Sequence, residues 1–505
     1  MADLFQLSNL GTADFDSGGG VGTPHTTAVT GDLRRKYNFG DRVSELAIPQ
    51  DPFFRFVSKV GKKPTDDPQF KWTEKRDSWH KRYAYVCGHI AAGADSFADA
   101  ELDAADDGTA VALGDEVKLY MVTDYKNTGN MQNVYGNTTN AIAVGATDTA
   151  PLFFLPGQLV KIPMSGTAGG GATTGYHVVK LTAVASSATA DSKEAVLITG
   201  TIVKLHTDNE LTSFSGNNFS PGNAGGDESV SDLSISEALE YKRAYVIGTA
   251  HDEGSGYPET WKDQPYSTNY GRTQIWKTSM AMTNTARATS LKYDSNEWSR
   301  VWKEKLVEHK WDIENSLLFG SQSDTYYTTQ GCVDYVSQFG NAFSLSTSTK
   351  TADDFLDDMS NYLDPRYNSQ SANVFFVNTS VFNWMHKLGG YFKNNLEVSS
   401  QFRADFAMAG KKKVMGVDIT TFNTPYGDMN VARNIHLDGS NVKMLGIDLK
   451  HCHWRPLVGN GINRDTSVYV GVQTLENSGV DRRVDLILTE GGMEWGMAES
   501  HAIWT

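Results

Sequence analysis

Cysteine is nearly absent from this 505-residue chain: Cys87, Cys332 and Cys452 are its three, far apart in sequence. An odd, sparse set excludes a disulfide framework and fits synthesis in a reducing cytoplasm. A long apolar run is missing too. No stretch approaches the roughly 20 apolar residues that a membrane helix needs. Residues 1–10 have neither a basic start nor an apolar centre, so they do not read as a signal peptide. Excess positive charge is also lacking. Lys and Arg number 45 against 60 Asp and Glu, a formal net charge of −15. A protein that grips nucleic acid carries a basic face, and an acidic surface repels phosphate; the balance fits a container wall better than a binding module. There is no internal repeat, which argues against a fibre.

Catalytic motifs are equally scarce. No G-x-x-x-x-G-K-[ST] appears, and no G-x-G-x-x-G sits between a strand and a helix. No G-x-S-x-G stands in a nucleophile-elbow setting. His451, Cys452 and His453 form the one tight group of metal-capable side chains, but no HxxxH or CxxC completes a ligand set. The reading is a loop with incidental His and Cys, with no metal, no cofactor and no catalytic residues. Asp353-Asp354 and Asp357-Asp358 read as favourable negative charge near a helix start rather than an acid–base pair. His309 reads as a core or interface histidine.

What is present is β-rich, with one long helix. Residues 1–30 are polar and glycine-rich, an arm that orders only against something else. Residues 70–86, FKWTEKRDSWHKRYAYV, read as a strand-like ribbon that is both aromatic and basic, with Lys71, Lys75, Arg76, Lys81 and Arg82. An acidic run follows, from Asp95 to Asp107. These five cations are the candidate inter-subunit contacts, meeting acidic groups on a neighbour; the alternative is a solvated face. Residues 109–205 read as a separate β unit punctuated by glycine clusters, and 215–228 as a second flexible stretch. Trp298, Trp302, Leu306, His309, Ile313 and Leu317 recur at helical spacing. Asp294 and Glu297 form a start signal and Gly320 a stop, predicting a helix roughly 35–40 Å long. Further on, Thr351 caps a helix that Pro365 stops. Residues 374–377 read as a buried strand, and 380–388 as a helix ended by Gly389-Gly390. Strands are expected at 417–421, 429–431 and 442–447, with a β-rich segment at 483–504.

Three stretches, taken in order, resemble one family. The first spans 269–320, NYGRTQIWKTSMAMTNTARATS and then WSRVWKEKLVEHKWDIENSLLFG, with Asp312, Glu314, Leu317, Leu318 and Gly320 closing the helix. The second is Thr424-Pro425-Tyr426-Gly427 followed by Met429-Asn430-Val431-Ala432-Arg433-Asn434, then Ile447-Asp448-Leu449. The third is TEGGMEWGMAESHAIW at 489–504. Together they resemble tailed-bacteriophage major capsid proteins of the Hong Kong 97 fold, in the branch of short-tailed phages with elongated heads. The resemblance implies an α+β capsid subunit. It implies a 1–45 N-terminal arm, a 46–290 extended-loop region with a β-rich insertion at about 109–205, and a 291–335 peripheral domain with a spine helix. It also implies a 336–455 axial domain and 456–505 peripheral return strands. The function implied is self-assembly, through hexamers and pentamers, into an icosahedral shell around double-stranded DNA that is enclosed without sequence-specific binding. Portal, scaffolding and decoration proteins are the implied partners, with no membrane. The implied location is the virion capsid, after synthesis in the host bacterial cytoplasm. No long charged helical prefix stands at the N-terminus, so the mature subunit is expected to keep it apart from Met1. Two other readings stay open from the residues alone: a tail-tube or fibre protein, and a carbohydrate-active hydrolase with a β accessory domain, which needs converging carboxylates.

Overall fold

The structure, a computed structural model, describes residues 52–76, 82–90, 98–99, 113–126, 145–166, 173–185, 188–190, 193–204, 243–258, 266–289, 296–364, 368, 373–394, 407–414 and 417–505. The N-terminal arm and the 215–228 stretch lie outside them.

The helix Glu297–Phe319 is the longest element, 23 residues, or roughly 34 Å at 1.5 Å per residue. Its N-cap lies two residues beyond the Asp294 signal. Asn296 is the N-cap, its side chain accepting from the Ser299 N–H at 3.1 Å. Glu297 instead pairs with Arg300. Gly320 ends the helix as expected, its N–H donating to the Ser316 carbonyl. The helix buries His309, Ile313, Glu314, Leu317 and Leu318 against a four-stranded antiparallel sheet. The 14-residue strand Arg482–Trp495 is central there. Gln274–Thr283 pairs along one side of it, from Gln274↔Gly491 to Thr283↔Arg482. Cys452–Pro456 and Ser467–Gln473 share the other side. Strand alternation turns Trp276, Thr278 and Met280 inward, and the Trp276 indole N–H reaches Ser316 on the helix at 3.0 Å.

A second sheet of seven strands runs Asn341–Phe343, Ala502–Trp504, Met444–Asp448, Asn373–Val377, Gly427–Arg433, Val417–Thr424, Ala407–Val414. Its middle strand NVFFV is buried at every position, the mark of a strand covered on both faces. Phe375 and Val377 pack in one cluster with Phe355, Met359 and Val381, from the helices Ala352–Tyr362 and Thr379–Asn394. Val374 and Phe376 pack in the other, with Phe53, Phe56 and Trp495. Phe53 and Phe56 belong to the helix Pro52–Val60, so that short helix joins both sheets into one core. Thr351 and Asp354 form the expected capping box. The helix Thr379–Asn394 continues through Gly389-Gly390, because helical glycine costs only about 1 kcal/mol and does not forbid the conformation. The C-terminal segment serves both sheets: Arg482–Trp495 lies in the first, Ala502–Trp504 in the second.

The third assembly differs from its sequence reading in extent. Strands Tyr83–Ile90, Glu116–Val122, Lys193–Lys204, Thr173–Val184, Gln158–Gly166 and Ala244–Thr249 pair in that order. The last returns to the first through Tyr83↔Tyr245, closing a six-stranded barrel. Inward residues such as Val86, Met121, Val160, Val179, Val196 and Ile198 fill it. The β unit therefore spans 83–249 rather than 109–205. Its first and last strands lie outside the glycine-punctuated region and are recognisable only by their partners. The barrel sits between two paired strands, Gln69–Lys75 and Tyr266–Arg272, in register from Gln69↔Arg272 to Lys75↔Tyr266. The basic ribbon accordingly supplies strands to two different sheets, one ending at Lys75 and the other starting at Tyr83.

Candidate functional site

The paired strands Gln69–Lys75 and Tyr266–Arg272 lie against the strand Arg482–Trp495 and carry two of the predicted contact residues, Lys71 and Lys75, with Arg76 next in the chain. Their root is rigid. A methyl group at Gly492 would run into the carbonyl oxygen of Arg272 and the ring of Phe70, so only glycine admits this close approach. Alternation along the first strand buries Phe70 and Glu74 and leaves Lys71 and Lys75 exposed. The Lys75 ammonium lies 5.1 Å from the centre of the Tyr266 ring.

Arg76 does something else. It is buried, with Nε 2.6 Å from Glu499 and Nη2 2.8 Å from Glu74. Nη1 donates to Ser267 at 3.2 Å. The Trp72 indole donates to Glu74 at 2.9 Å. Burial opposes the charge, but Glu499 and then Glu74 hold the guanidinium above the usual arginine range. The arginine thus fastens the paired strands to the turn Ala498–Ser500 within its own chain. Arg82 is half-buried at the barrel entrance, where its carbonyl accepts from the Val246 N–H. Lys81 lies outside the described residues, as does nearly all of the acidic run 95–107. The five cations are not one surface: among the described residues, Lys71 and Lys75 are the pair that faces outward.

Glu314 was missed as an anchor. It is 0% exposed. Its carboxylate accepts from the backbone N–H groups of Phe53 at 3.1 Å and Phe54 at 2.6 Å, and from Asn434 Nδ2 at 2.9 Å. It therefore caps the N-terminus of the helix Pro52–Val60 and ties it to the long helix and to the loop after Arg433. A signal was available: Glu314 stands three and four residues before Leu317 and Leu318, on the apolar face, where an unpaired carboxylate is too costly.

The remaining candidates have structural roles. The neutral His309 ring bridges Thr278 and Thr489, 2.8 Å from each hydroxyl, and burial lowers its pKa. On the strand Cys452–Pro456, alternation sends Cys452 inward, with Sγ 3.8 Å from His501 Nε2. His453 turns the other way, 3.4 Å from Glu494. Neighbours on opposite faces of a strand do not converge on one ion, and among the described residues no group of three or more His, Cys, Asp or Glu is placed to hold a metal. Asp354 is occupied in its capping box, and Asp358 pairs with Lys350 and accepts from the Trp504 indole at 3.0 Å.

A family model described as SU10 major capsid protein matches residues 20–505. A curated major capsid protein of Pseudomonas phage PaMx41 is 31% identical over 160 residues, 29% of this chain and 38% of that relative. The matched stretch is thus well under half of the relative's length. Among solved structures, one from Microbacterium phage Oxtober96 has 14% identity and a TM-score of 0.34, covering 51% of this chain and 80% of the other. The capsid of Myoviridae phage XM1 has 7% identity and a TM-score of 0.32, covering 51% and 80%.

Proposed function

The chain belongs to the SU10 major capsid protein family, and on that premise we propose that it is the repeating wall subunit of a closed phage head. Copies join in rings of six and five through contacts that close. The family match over 20–505 carries this reading, and it sets aside the tail, fibre and hydrolase alternatives. The fold supports it in kind. A long helix on an open sheet makes a stiff plate, and the paired strands 69–75 and 266–272 present Lys71 and Lys75 on a face that a neighbour can receive. In this reading 1–45 is the arm, and the paired strands 69–75 and 266–272 with the barrel between them in sequence are the extended loop. The long helix with the four-stranded sheet, Gln274–Thr283 included, is the peripheral domain, and the seven-stranded sheet is the axial domain.

The subunit acts structurally rather than catalytically. Double-stranded DNA is enclosed and not gripped, since a chain of net charge −15 repels phosphate at long range. Portal, scaffolding and decoration proteins are its further partners, and the virion is its destination after synthesis in the host cytoplasm. Lys71 and Lys75 meet acidic groups of the next copy and offset part of that repulsion. Electron microscopy and native mass measurement of the freshly purified protein test the reading: rings or closed shells are expected. A stable monomer at high concentration, unassembled under every salt and crowding condition, overturns it.

A further inference from the structure

The four-stranded sheet leaves large apolar side chains exposed at its two ends. At one end is the hairpin 467–495. Val468, Tyr469, Val470, Val472, Leu475 and Val480 are all exposed there, Val470 at 66%. They are held in place. The pairing register shifts between Tyr469 and Gln473, and Gly471, at φ +69°, donates its N–H to Asp485 at 2.7 Å. Asp485 is itself buried and paired with Arg483. Gln473 accepts from Arg482. A bulge fixed in this way turns valines outward and spoils the edge for strand addition, so this surface offers side chains rather than backbone.

The other end lies where the long helix stops. Phe319, Tyr326 and Tyr327 are exposed there, Tyr326 at 83%, with Tyr270 and Ile275 on the adjoining strands. Arg272 organises the group, pairing with Asp324 at 2.7 Å and lying 4.8 Å from the centre of the Tyr327 ring.

We propose that these two surfaces are the halves of one contact between copies: the 468–480 patch of one subunit seats on the 319–327 aromatic patch of the next. The proposal rests on the shell reading above and names a contact within it. Each patch exposes on the order of 400–500 Å² of apolar side chain, the range of the largest and often functional patch on a single subunit. That is about half of what one partner gives to a stable pairwise interface, so a single contact holds only where several act together. One copy cannot join its own two patches. Trp298 lies beside Arg483 and Ser316 beside Trp276, so the sheet end at Arg482, where the 475–480 turn sits, is roughly 27 Å along the helix from the end that carries the aromatic patch. A contact between unlike surfaces repeats from copy to copy until a ring closes.

The test compares wild type, Val470→Glu, Tyr326→Lys and the double variant, reading shell yield by sedimentation and electron microscopy and subunit melting separately. Each single change is expected to cut shell yield roughly tenfold or more, since every copy uses both patches, with melting unchanged. The double variant, which sets Glu against Lys at each contact, is expected to recover assembly. Val470→Ser and Tyr326→Ser remove the apolar contact without new charge and are expected to lower yield in the same direction. Single variants that assemble at wild-type yield overturn the proposal. Singles that fail without recovery in the double variant overturn the pairing of these two patches. Wild type that self-associates through these residues without ever forming shells refutes the shell reading and keeps the contact; wild type that never self-associates refutes both.

Discussion

The barrel at 83–249 and the four-stranded sheet beneath the long helix are both antiparallel, yet they treat their edges in opposite ways. The barrel pairs its last strand with its first, so its ladder has no open side; a cluster of its apolar residues fills the interior, while Val203, Tyr245 and Ile247 stay exposed. The sheet stays open. Gln274–Thr283 and Ser467–Gln473 flank it with outward-facing residues that include Ile275, Val468 and Val470. Closure removes the edge problem, whereas an open edge must be covered, charged or bulged. The lesson is a division of labour. The barrel closes its own strand pairing, while the body's sheet keeps edges that its own strands do not pair.

The largest expected effect separates the two regions cleanly. Glu314→Ala leaves two backbone N–H groups and Asn434 without their acceptor, and is expected to cost the body about 3–5 kcal/mol. Hydrogen exchange should then rise in 52–60 and around 434–437, with barrel amides unchanged; equal loss in the barrel would show the two regions to be one cooperative unit. The reciprocal change, Ile198→Ala in the barrel interior, is expected to cost about 2–5 kcal/mol and to leave exchange at Glu314 and its partners as in wild type.

Acid should act on the body through buried histidine. Burial pushes His501 down to about 4 from 6.5, and His309 and His451 also downward. A depressed histidine binds its proton more readily in the unfolded chain. The body is therefore expected to hold its stability above pH 6.5 and to lose up to about 1.4 kcal/mol per pH unit as pH falls from 6.5 to about 4. Urea melts of unassembled subunit across that window check this, and His501→Gln should flatten the slope. The smallest effect is expected from Lys71→Glu with Lys75→Glu. Exposed pairs contribute about 0.2–1 kcal/mol each, so melting should barely move. Assembly should fall at low salt, and the wild-type advantage should shrink where the Debye length drops below about 8 Å. Shells of wild-type yield at low salt would leave these lysines as a solvated face.

Much of this organisation was legible because it rests on local chemistry. The long helix announced itself by periodicity and by Gly320, and the Thr351 helix by its capping residues. The strand Asn373–Val377 showed itself through the apolar run 374–377 between Asn373 and Asn378. The basic ribbon was legible as charge but not as geometry. Lys75 and Arg76 are adjacent in sequence, yet the first is exposed and the second lies between Glu74 and Glu499. Nothing within the ribbon indicates that a carboxylate more than 400 residues away, at position 499, closes over one cation and not its neighbour.

By itself, then, the sequence determined the class of the protein: an acidic, thiol-poor α+β chain whose ordered stretches resemble a capsid family. It also determined where the long helix stops, at Gly320, and where the Thr351 helix starts, because caps and turn residues act over a few positions. Tertiary structure alone decided that the β unit closes into a barrel starting at Tyr83. It alone decided that Glu314 holds the helix Pro52–Val60, that Arg76 is buried, and that Val470 and Tyr326 stand at opposite ends of one plate. Each of these depends on which distant strand or carboxylate arrives beside a residue. Burial and pairing are properties of the whole packed chain, and residues of the same type, such as Glu74 and Glu116, acquire opposite environments only when it folds.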